Sequence, residues 1–108
     1  MTESKILFTR SVNNAVADNS TMAKFVVKSL KRHAQKDWGD LDDDDKEMND
    51  LAIDSGDRIF SAYNLPKKFK KNAFGSFGQT EQKIWVISDP ANQQGKREVT
   101  TVLFPSEY

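Results

Sequence analysis

Cysteine is absent from the 108 residues, which excludes disulfide staples, thiolate metal sites and cysteine nucleophiles and fits a reducing compartment. There is a single histidine, His33, so no His/Cys zinc set can be assembled and no catalytic triad is recognisable. Neither GxxxxGK nor GxGxxG occurs; Gly75 and Gly78 in AFGSFGQ make only a turn. No apolar run approaches a membrane span, and MTESKILFTR lacks the core of a signal peptide. The expected setting is therefore a cytoplasm without membrane attachment. Excess charge of one sign is missing too: 16 basic and 16 acidic residues cancel, leaving no global field to hold nucleic acid.

What is present is a segregation of charge along a chain long enough for one domain, residues 1–108. Residues 37–57, DWGDLDDDDKEMNDLAIDSGD, hold ten acids and one lysine. Before them, Met22, Phe25, Val26, Leu30 and Ala34 recur at helical spacing, with Lys24, Lys28, Lys31, Arg32 and Lys36 between them. This predicts an amphipathic basic helix from Thr21 to about Lys36, capped by Asn19 or Ser20. Cations near its C-terminal end complement the helix dipole, so helix stabilisation competes with nucleic-acid contact as their explanation. His33 belongs to this basic run and is expected on its surface or flank.

Gly39 is expected to cap that helix, and Asp40 or Asp42 to start an acidic helix running to Ser55, with Gly56 ending it and Met48, Leu51 and Ala52 inward. The two helices read as an antiparallel hairpin. Trp38, between them, is expected to wedge the hairpin onto a sheet. Strands are predicted at Lys5–Thr9, 58–63, 83–88 and 98–104. The polar stretch 11–20 reads as a turn with one helical turn near 14–17, and residues 66–82 as a long loop. In the strands Trp85 and Ile87 oppose Ile84 and Val86, so both sheet faces look apolar. Two helices cover one face, leaving the other to the loop, to a homodimer or to a partner. The expected fold is α+β, with the hairpin on one face of a mainly antiparallel four-stranded sheet in the order β-α-α-β-β-β.

The acids first suggest calcium, but an EF-hand loop begun at Asp40 puts Asp45 where glycine is required and Leu51 where a bidentate glutamate is required. No metal or cofactor is assigned. As a negative ridge, Asp40, Asp43, Glu47 and Asp54 share one helical side, widened by Asp42, Asp44, Asp45 and Asp50, in imitation of a nucleic-acid backbone. Against this stands a plain solvated helix with an acidic first turn. Lys67, Lys68, Lys70 and Lys71, interleaved with Phe69, Phe74 and Phe77, are the candidate nucleic-acid contacts of the loop, weighed against a solvated connection.

The segments KDWGDL, NDLAIDSGDRIFSAYNL, KIWVISDP and TTVLFPSEY, in that order, resemble a family of small proteins from plasmids, prophages and other mobile elements of Gram-positive bacteria. Its members carry a GDWG-like turn and a TTVLFP-EY-like last strand. This chain has Lys36 where the tetrapeptide begins with glycine, and a longer insert at 66–81. The resemblance implies a mobile-element accessory protein, a class that includes anti-CRISPR proteins, and implies no catalytic residues. The expectation is a non-enzymatic inhibitor of a bacterial host defence protein, a CRISPR effector nuclease, bound through the acidic helix. The alternative is a nucleic-acid-binding accessory protein using Lys24, Lys28, Lys31, Arg32 and the loop lysines. A purely self-associating structural domain is a third.

Overall fold

The computed structural model describes residues 4–66 and 83–108. Its elements are β1 (Lys5–Phe8), α1 (Arg10–Asp18), α2 (Ser20–Ala34), α3 (Asp43–Ser55), β2 (Ile59–Asn64), β3 (Lys83–Ser88) and β4 (Val99–Leu103), followed by a 3-10 turn at Pro105–Glu107. The four strands form one sheet in the order β1-β4-β3-β2. The β2–β3 and β3–β4 pairs are antiparallel, as expected, but β1 runs parallel to β4. The sheet is therefore mixed, and this corrects the mainly antiparallel expectation. A parallel neighbour requires a crossover; here the chain passes from β1 through β2 and β3 to β4, after first crossing the helical region between β1 and β2.

That region holds three helices. Residues 10–18 form a full helix that buries Ser11, Val12 and Ala15, where the sequence indicates only a turn. Its N-cap, Thr9, makes no local side-chain cap. The acid comes instead from the far end of the chain: Glu107 accepts from Thr9 Oγ1 at 2.7 Å and from the Ser11 amide at 3.4 Å. Burial opposes ionisation of Glu107, but hydrogen bonds from Thr9, Phe104 and Ser11 outweigh it and hold its carboxyl below the usual range.

Helix α2 starts where expected, with Asn19 Oδ1 accepting from the Thr21 and Met22 amides at 2.9 and 3.1 Å. It packs on α1 and on β2 and β3. The main core lies beneath these two helices, where Val12, Ala15, Met22 and Val26 meet Tyr63, Leu65, Ile84, Val86, Val102 and Phe104. The helix ends at Ala34 with Gln35 as its cap, so Gly39 does not terminate it. Lys36 takes φ 65 and Gly39 φ 72. At Gly39 the glycine is obligatory: a Cβ would lie 2.1 Å from the Ala62 carbonyl oxygen and 2.7 Å from the Tyr63 ring.

The expected hairpin of basic and acidic helices does not form. Helix α2 pairs with α1, while α3 lies against β2, the edge strand. Residues 38–40 run beside β2: Asp40 N donates to Ala62 O at 2.7 Å, and Ala62 N to Trp38 O at 3.3 Å. Asn49 of α3 continues this edge, donating to Phe60 O and accepting from Phe60 N at 3.1 Å. Asp40 Oδ2 takes the Asn64 amide at 2.9 Å. The outer edge of β2 is thus closed by backbone and side chains, which removes it as a template for pairing with another strand.

Trp38 is buried, as its place in the sequence predicts, in a small cluster with Ala52 and Ile59. Met48 and Leu51 are not on the inward side of α3; they are 65% and 59% exposed. Ala52 is buried as expected, and Asn49 is buried with it, because the helix docks through hydrogen bonds to a strand edge rather than through a broad apolar stripe.

Candidate protein-binding surface

Helix α3 begins at Asp42, whose Oδ1 accepts from the Asp45 amide at 2.8 Å. Gly56 ends it in the left-handed conformation, its amide reaching Ala52 O at 2.8 Å. Three tethers set its rotation. One is the Asn49–Phe60 pair. In the second, Trp38 Nε1 donates to Asp50 Oδ1 at 2.9 Å. The third is Arg97, which donates to Ala52 O at 3.1 Å from the β3–β4 connection and to the Asp57 and Asp89 carbonyls at 2.6 and 2.9 Å.

This rotation divides the predicted acidic residues into groups. Asp43, Asp44, Glu47 and Asp54 are exposed on the outward side, beside Met48 and Leu51. Asp50 is exposed but engaged by Trp38, Asp42 serves as the cap, and Asp40 holds the edge of β2. Asp45 is half-buried, on the side turned to the sheet. Asp40, Asp42 and Asp45 line a groove with Leu41, Arg58, Phe60, Ala62, Lys83, Trp85, Ile87 and Tyr108. The predicted single ridge is thus an outward ridge and a groove wall. Among the described residues one ion pair forms, Arg32 with Asp37 at 2.7 Å, so no acid of α3 is neutralised by a salt bridge there.

The candidate basic residues separate as well. Lys24, Lys28 and Lys31 are exposed on α2 around Val27, itself half exposed. Arg32 is committed to Asp37 and its guanidinium lies 4.8 Å from the centre of the Tyr63 ring. Lys67, Lys68, Lys70 and Lys71 lie outside the described residues.

His33 overturns its surface assignment. It is buried, with Nδ1 2.6 Å from Ser61 Oγ and Nε2 2.9 Å from Ser88 Oγ. Ser88 Oγ in turn lies 2.7 Å from Thr100 Oγ1. Burial, then the nearby charge of Arg97, lowers its pKa to about 4, so at neutral pH one ring nitrogen donates and the other accepts. The helical register carried a signal: His33 completes the 4-3-4 spacing of Met22, Val26 and Ser29. Tyr63 beside it donates to Asp37 O at 2.7 Å, and burial pushes its phenol up to about 12.

The groove was missed because its members come from four separate stretches. Strand alternation alone places Trp85 and Ile87 on one face of β3; only the register, Phe60 opposite Ile87 and Ala62 opposite Trp85, brings β2 into it. Among the described residues no group of three or more His, Cys, Asp or Glu is arranged to hold a metal ion, and no helix is long and apolar enough to cross a membrane.

Fold and surface together define a small α+β domain whose mixed sheet carries two helices on one face and an acidic helix on one edge. No protein-family model, curated protein or solved structure matches the chain.

Proposed function

We propose that this chain is a non-enzymatic binding protein of a mobile element, acting in the bacterial host cell, which inhibits a CRISPR effector nuclease by occupying its DNA-binding surface with α3. What supports the reading is the exposure of Asp43, Asp44, Glu47 and Asp54 on one outward side, none of them in an ion pair with a described residue. A favourable helix dipole accounts for Asp43, Asp44 and Asp45 in the first turn, but not for Glu47 or for Asp54 in a last turn that has no basic residue of its own. From Asp43 to Asp54 the ridge extends about 16 Å, or about five nucleotide steps at 3.4 Å each. Met48 and Leu51 beside it supply the apolar contact that a protein surface, unlike free nucleic acid, can use.

The test is charge reversal on the ridge. The triple variant Asp43→Lys, Asp44→Lys, Glu47→Lys should keep its circular-dichroism spectrum, at a cost of about 1 kcal/mol from the dipole, and lose nuclease binding. Binding by the unaltered protein should weaken as salt rises. Full inhibition by the variant would remove the ridge from the interface. Retention of DNA by the unaltered protein at physiological salt would favour instead the stripe of Lys24, Lys28 and Lys31.

A further inference from the structure

The groove between residues 40–45 and the sheet face opposite α1 and α2 has a volume of about 490 Å³. Its aromatic lining is continuous. The Phe60 and Trp85 rings lie 6.0 Å apart and the Trp85 and Tyr108 rings 5.5 Å apart, both edge to face. Arg58 fixes Tyr108, donating to its hydroxyl at 2.8 Å with the guanidinium 5.8 Å from the ring centre. Lys83 also lines the groove. Facing this row stand Asp40, Asp42 and Asp45, none of which forms an ion pair with a described residue.

We infer that this groove binds an extended cationic segment of a partner protein. Arginine or lysine side chains lay their stems on the rings and present their charge to the three carboxylates, a combination that rewards both the apolar stem and the cation. A row of rings on a sheet is also a platform for stacked bases, but the lining sets three carboxylates against two cations, Lys83 and an Arg58 already held by Tyr108, so the balance favours a cation over a phosphate. Backbone pairing does not contribute at β2, because the amides and carbonyls of Phe60 and Ala62 and the amide of Asn64 are already taken. Recognition therefore falls on side chains. The inference is independent of the α3 ridge, which uses the outward acids.

Calorimetric titration of the full chain with a blocked pentapeptide alternating arginine and valine tests it. The arginine peptide should bind, its glutamine and glutamate counterparts should bind at least roughly tenfold more weakly, and affinity should fall as salt rises. Asp45→Asn, a nearly isosteric change, should weaken binding several-fold, and Tyr108→Ala, at an exposed position, roughly tenfold. Asp54→Asn, at the far end of the outward side, should leave peptide affinity within about twofold, which separates this site from the ridge. Equal binding of the glutamine peptide, or an unchanged affinity in Asp45→Asn, would overturn the inference. So would tighter binding of a ten-nucleotide oligothymidylate that Tyr108→Ala abolishes, which would make the face a nucleic-acid platform. Binding of the arginine peptide only after the lysines at 67, 68, 70 and 71 become serine would assign the groove to the chain's own segment, and peptide-induced dimerisation in sedimentation would assign it to a second copy.

Discussion

Helices α2 and α3 are of similar length and opposite charge, yet they are held in place by different forces. Helix α2 buries Met22, Val26, Ser29 and His33 against the sheet and points its lysines outward. Helix α3 buries only Asn49 and Ala52 and is fastened by the Asn49–Phe60 pair, the Trp38–Asp50 bond and Arg97. Burial of a stripe fixes a helix with many weak, non-directional contacts, whereas a few directed bonds fix it with little area. The second solution leaves Met48 and Leu51 in solvent beside carboxylates. The difference teaches that an apolar residue on an amphipathic pattern can stand on the surface rather than in the core.

The strongest way to break this comparison is to remove the indole that supports α3. Trp38→Ala deletes a buried side chain and leaves Asp50 without its donor, and it should cost about 4 kcal/mol in denaturant unfolding. A variant that unfolds at the unaltered midpoint would show that the tethers to Phe60 and Arg97 suffice alone.

Acidification tests the α2 side. His33 is buried with its pKa lowered to about 4, against an unfolded value of about 6.5. Between these values the unfolded chain binds the extra proton, so stability is full above about pH 6.5 and falls as pH drops toward 4, by about 3 kcal/mol in all. His33→Gln should flatten that slope in urea melts recorded across the window. An equal slope in the variant would assign the loss to carboxylates and not to the α2 core.

The smallest effect lies at the turn between the two helices. Lys36 occupies φ 65, where a non-glycine residue costs roughly 1–2 kcal/mol, while a glycine there adds unfolded-state entropy worth roughly 0.4–1 kcal/mol. Lys36→Gly should therefore raise stability by up to about 1.5 kcal/mol in the same melts. A loss of stability would mean that the turn is not strained and that α2 and α3 are set by their own contacts alone.

Much of the framework was legible in local chemistry. Strands β2, β3 and β4 are β-branched and aromatic runs bounded by turn residues, and α2 and α3 carry their own capping signals in Asn19, Asp42 and Gly56. The acidic character of α3 and the burial of Trp38 followed from position. Helix α1 was not legible because its N-terminal acid, Glu107, sits at the other end of the chain. His33 was misassigned because its neighbours in sequence, Lys31, Arg32 and Lys36, are charged, while its neighbours in space are Ser61 and Ser88.

The sequence by itself determined α2, α3 and the four strands, since capping, periodicity and turn chemistry act over a few residues, but not α1. It also determined that the acids and bases lie in separate segments. Only the tertiary structure decided that β1 joins β4 in parallel, that α3 closes the edge of β2 instead of pairing with α2, and that the acids divide between a ridge and a groove. Those outcomes depend on which distant donors, acceptors and apolar surfaces meet, such as Asn49 with Phe60 and Arg97 with Ala52, and no local pattern encodes such a meeting.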